Sequence, residues 1–165
     1  MNREVRDVSA HVSNVARWFS GFGLLLMTVI IAWQVFARYV LNDSPAWSEQ
    51  AALLLMIWYV MFAAAAGVRE GFHIRIGVFA DTLPGKAGKA IRILAHAIAG
   101  FFGAGMAIWG TELALVTWSH VIPALALPRG VAYIPIALSG LLILGFSVER
   151  IFAEAKDREV RQTWN

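Results

Sequence analysis

The chain has 165 residues, of which 59% are hydrophobic and only 15% charged, with a formal net charge of +3. A soluble domain carries about a quarter charged residues, and the mean hydropathy of +0.63 lies on the side of hydrocarbon rather than water. The absence of cysteine excludes disulfides, thiolate catalysis and Cys-ligated metals.

The charges are gathered, and the gaps between them define the architecture. There are 20 uncharged residues between Arg17 and Arg38, and 19 each between Glu49 and Arg69, Arg92 and Glu112, and Arg129 and Glu149. At about 1.5 Å per residue each window makes about 30 Å of helix, the thickness of a bilayer core. A secretory signal is shorter and ends in small residues, whereas the first window closes on Gln34-Val35-Phe36-Ala37-Arg38. The expectation is an all-α integral membrane protein, one membrane domain over 1–165. Its spans fall at about 17–41, 47–69, 90–117 and 130–152.

The isoelectric point near 9.7 would suggest nucleic acid in a soluble protein. Here 12 of the 14 basic residues flank the windows on one side, leaving Arg38 and Arg129 on the other. The positive-inside rule places both termini and the middle loop in the cytoplasm, so the basic excess encodes topology and no nucleic-acid partner is expected.

In chain order, residues 1–16 are polar, with Val5, Val8, Val12 and Val15 at helical spacing. Two readings remain open for them, a helix on the membrane surface and a frayed tail. Gln34 and Arg38 share a face near the outer end of the first span. Arg38 either lifts its guanidinium to the headgroups or pairs with Glu49 or Glu112. Asn42-Asp43-Ser44-Pro45 is a turn; Ser44 or Ser48 is placed to cap the second helix, and Glu49 suits its positive end. Trp47, with Tyr39, Trp118 and Tyr133, forms an outer aromatic belt.

The second span ends in Ala63-Ala64-Ala65-Ala66-Gly67, a smooth surface for another helix. Phe72, Ile76, Phe79 and Leu83 then fall on one stripe, predicting a short in-plane helix over 72–84 stopped by Pro84, in a segment that includes His73. In the third span Ala99, Gly103 and Ala107 recur every four residues with Gly110 nearby, a ridge for close helix contact. The stretch from Ser119 to Gly130 is mostly apolar for an outer loop, which points to contact with protein or re-entry into the interface.

Catalytic and cofactor chemistry finds no support. Haem ligation needs histidines at matched depth, and only His96 lies within a window. No His/Asp/Glu set has metal-ligand spacing, and no nucleophile has a base in reach. A stand-alone four-helix proton-coupled exporter is the rival reading, but it needs a carboxylate near the midplane. Glu49 and Glu112 sit at helix ends.

Phe36-Ala37-Arg38-Tyr39-Val40-Leu41-Asn42, Trp47-Ser48-Glu49-Gln50-Ala51, Trp58, Arg69-Glu70-Gly71-Phe72-His73-Ile74 and Asp81-Thr82-Leu83-Pro84 occur in this order. With Leu127-Pro128 and Tyr133-Ile134-Pro135-Ile136 they resemble the small membrane subunit of TRAP transporters, the DctQ type. Departures fall at Gln50, where a second acid is common, at Gly77, where an aspartate is frequent, and at Ala63, often glycine. The resemblance implies a non-enzymatic scaffold in the bacterial inner membrane, surrounded by lipid. It would brace a large multispanning subunit that imports organic acids by symport, using a sodium gradient, after capture by a periplasmic binding protein. This chain would carry no cofactor and would assemble non-covalently. Arg38, Trp47, Glu49, His73, Gly103 and Glu112 are the candidates for structural and partner contacts.

Overall fold

The computed structural model describes residues 3–43, 45–70 and 86–155. Four long helices make up nearly all of it: α1 (Arg3–Tyr39), α2 (Ala46–Glu70), α3 (Lys86–Val116) and α4 (Ile134–Ala155). All four contain stretches long and apolar enough to cross a membrane.

α1 is one unbroken helix of 37 residues, where the sequence reading begins the span at about residue 17. No glycine or proline interrupts 3–20. The first turns also have packing to hold them: Ser13, Ala16 and Ser20 are buried, and Val12 lies against the Ala65–Ile143–Phe146 cluster. Burial along α1 continues through Gly23 to Ala37 in steps of three and four residues, one narrow seam on a helix otherwise open to its surroundings. α1 ends where Asn42 turns the chain in the left-handed region (φ 53°) and the Asp43 N–H donates to Ala37 O at 3.1 Å. Ser48 does not cap α2; its hydroxyl donates back to Pro45 O at 2.8 Å.

The small-residue ridge of α3 packs within this chain. From His96 onward the buried positions are His96, Gly100, Gly103, Ala107, Gly110 and Ala114, alternating steps of four and three. Gly100, Gly103, Ala107 and Gly110 meet α4, and at Gly103 and Gly140 the contact is backbone to backbone. A Cβ at Gly103 would stand 2.9 Å from Gly140 O and from Leu144 N, and one at Gly140 would stand 2.6 Å from Ala107 N. Of the alanine run in α2, Ala65 and Ala66 are buried while Ala63 and Ala64 face outward.

α1 packs on α2, α2 on α4, and α4 on α3. The helices thus form an open series of two hairpins, α1–α2 and α3–α4, joined chiefly along α2 and α4, rather than a closed ring. Large apolar side chains are exposed along every helix, among them Leu25, Val60, Phe101 and Leu141. For a membrane protein this is surface for lipid or for protein.

The apolar outer loop forms a small hairpin. Val121–Ile122 pairs antiparallel with Leu127–Pro128, Ala126 supplies a positive φ of 51°, and the Arg129 N–H donates to His120 O at 2.6 Å. A 3-10 turn, Arg129–Ala132, leads into α4. The in-plane helix expected over 72–84, with His73, lies outside the described residues.

Candidate functional site

The densest polar chemistry lies at the end of the molecule opposite the small hairpin, where α1 and α3 begin and α2 and α4 finish. Two dipeptides of opposite charge, Arg69-Glu70 on α2 and Glu149-Arg150 on α4, close their apolar windows and meet there. Arg69 is 2% exposed, and Glu70 and Glu149 are each 4% exposed. Charges removed this far from water must be paired.

Arg69 is the hub. Its Nη1 lies 3.6 Å from Glu70 Oε1 and its Nε 3.9 Å from Glu149 Oε2. The same Nε donates to Ser9 Oγ at 3.4 Å, and Ser13 Oγ donates to Glu70 Oε1 at 3.3 Å. Arg150 completes the set differently: its Nε donates to the carbonyl oxygen of Arg69 at 2.9 Å, and its Nη2 donates to the same oxygen. That carbonyl lies in the last described turn of α2, and a guanidinium from a neighbouring helix bonds to it. Two arginines and two glutamates leave the cluster formally neutral.

A second, wetter set ties α3 to α4. Arg92 Nε lies 3.1 Å from Glu154 Oε1, each side chain about a third exposed or less, and Lys89 Nζ donates to Ala155 O at 3.2 Å. The lysine meets the negative end of α4.

The outer corner is different. Arg38, Trp47, Glu49 and Glu112 are all exposed, and among the described residues no ion pair joins Arg38 to Glu49 or Glu112. Gly103 lies inside the α3–α4 contact. Sequence reasoning missed Ser13, Arg69, Glu70, Glu149 and Arg150 as a set. Their signal was present: adjacent opposite charges bounding two windows on the same side of the membrane.

An apolar cleft of about 350 Å³ opens where α1, α2 and α4 meet, lined by residues that include His11, Val15, Phe19, Trp58 and Phe62. No carboxylate lines it, and among the described residues no group of three or more His, Cys, Asp or Glu is gathered as for a metal.

Membrane-length helices whose buried charges bind helix to helix define a multi-pass membrane protein braced from within. The chain belongs to the DctQ component family of the tripartite ATP-independent periplasmic transporters, whose family model matches residues 27–157. That family is one of transporter components and not of enzymes. The chain is 32% identical over 84 residues to the sialic acid TRAP transporter small permease protein SiaQ of Vibrio cholerae, covering 51% of this chain and 49% of SiaQ. It is 26% identical over 90 residues to the C4-dicarboxylate TRAP transporter small permease protein DctQ of the same organism, covering 54% and 39%. A longer match, 23% over 155 residues, joins 93% of the chain to 79% of the ectoine TRAP transporter small permease protein TeaB of Halomonas elongata. The chain thus spans about half or less of the two Vibrio relatives.

Proposed function

We propose that this chain is the small scaffold subunit of a TRAP-type importer in the bacterial inner membrane, with both termini and the 69–92 loop in the cytoplasm. It would pack against a large multispanning subunit that couples carboxylate uptake to a sodium gradient, supplied by a periplasmic binding protein. The observation that carries this reading is where the buried charges go: Arg69, Glu70 and Glu149 contact each other and the serines of α1, bracing helices rather than lining a path. The helix faces left exposed are apolar and suit contact with lipid and a larger membrane protein. Relatives named for sialic acid, C4-dicarboxylates and ectoine support a common scaffold with substrate choice made elsewhere.

The test is reconstitution. In proteoliposomes the chain alone should move no organic acid under a sodium or proton gradient. Affinity purification from native membranes should bring down a large multispanning protein. Proton-coupled flux from the isolated chain would instead establish the exporter and end the scaffold reading.

A further inference from the structure

We propose that Arg69, Glu149 and Arg150 form an ionic clasp that sets the angle between the two helical hairpins. The cue is a difference in how the contacts are made. Within the α3–α4 hairpin the membrane-spanning contact is small residue on small residue, Gly103 against the Gly140 backbone and Gly100 against the Ser147 side chain. Within α1–α2 it is Gly23 against Tyr59, with the Ser20 hydroxyl donating to Tyr59 O at 2.9 Å. These short-range contacts hold each hairpin by close packing.

Between the hairpins the situation changes. They meet chiefly along α2 and α4, with an apolar cluster of Ala65, Ile143 and Phe146. Immediately beyond it, toward the termini, come the Arg69–Glu149 ion pair and the Arg150 cap on the Arg69 carbonyl. Apolar packing gives little directional preference, whereas a guanidinium donating through two nitrogens to one carbonyl oxygen restricts rotation of α4 against α2. Among the described residues no substantial α1–α3 interface backs this joint up, and the 3-10 turn at the opposite end touches α2 only lightly. The clasp is therefore the element that fixes the inter-hairpin angle, and with it the shape of the surface presented to lipid or protein. This inference does not depend on the transport reading.

Spin labelling can read the angle directly, since the chain has no cysteine. Nitroxides at Leu25→Cys on α1 and Phe101→Cys on α3, both exposed, report across the joint; Phe101→Cys with Leu141→Cys reports within one hairpin. With the full chain in lipid nanodiscs, Glu149→Gln and Arg150→Gln should broaden and shift the 25–101 distance distribution while leaving 101–141 unchanged. Arg150→Lys, with charge but no fork, should give a smaller shift. An unchanged 25–101 distribution in both single variants would overturn the proposal, as would equal broadening of both label pairs. If these variants do not accumulate in the membrane, the charge-conserving Glu149→Asp and Arg150→Lys decide: a shifted 25–101 distribution with 101–141 unchanged supports the clasp, and native distributions for both pairs refute it.

Discussion

Arg69 is held by groups from three helices, and removing it leaves two carboxylates buried without their cation. Arg69→Met is expected to destabilise the chain by about 3–5 kcal/mol, the usual cost of breaking a buried pair from one side. Arg92→Gln, which breaks the partly exposed pair with Glu154, should cost about 1 kcal/mol or less. Unfolding of the two variants side by side in the same detergent checks the ranking, and equal losses would mean that burial does not set the cost. Arg38 belongs to another category: it is exposed and without a carboxylate partner on the described part of this chain. We expect Arg38→Ala to leave the unfolding of the isolated chain unchanged and to lower the yield of complex with the large subunit. Normal complex yield with altered substrate preference would contradict that assignment. Sequence reading gave the outer charges attention because it judged each one by its own distance from hydrocarbon. Which charges become buried depends on which helix faces meet, and neighbouring opposite charges at 69–70 and 149–150 were the one local trace of it.

Charge exclusion is a one-dimensional property, so the four spans were readable without knowing any contact. Ridges are not one-dimensional. The sequence places small residues at 99, 103 and 107, yet the buried line runs through His96, Gly100, Gly103, Ala107, Gly110 and Ala114. Ala99 belongs to the neighbouring row, because a four-residue step drifts around the helix while alternating threes and fours stay on one side. The partner of that line, Gly140 on α4, lies 37 residues along the chain, and no local signal names it. Gly103→Leu should therefore damage the α3–α4 hairpin itself. The atoms it would strike include Gly140 O and Leu144 N, backbone that cannot swing aside, so the loss should reach about 3 kcal/mol, the upper part of the usual overpacking range. Thermal unfolding of the isolated subunit is the measurement, and a Gly103→Leu chain as stable as the native one would place the ridge outside the hairpin contact. The continuity of α1 was likewise hidden, since Ser9 and Ser13 bond to Arg69 and Glu70, which lie 57 or more residues away.

At the scale of the whole molecule the prediction is orientation. With 12 of 14 basic residues on one side, the segment 42–47 is expected to face the periplasm. Asp43→Cys should react with an impermeant maleimide in right-side-out vesicles and be protected in inverted ones; the reverse pattern would invert the topology. The length of α1 bears on how the molecule sits. Thirty-seven residues make a rod of about 55 Å, against a hydrocarbon core of about 30 Å. With the uncharged stretch 18–37 in the core, as its length leads us to expect, some four turns of α1 would stand clear of it like the foot of a mast stepped below deck. Those turns are lashed to the end of α2 by Ser9 and Ser13. A lone span of this kind adjusts to a thicker or thinner bilayer by tilting or sliding along its own axis. Here sliding would break contacts to buried charge, so the first two helices must tilt as one body, with their relative height set by the protein and not by the lipid.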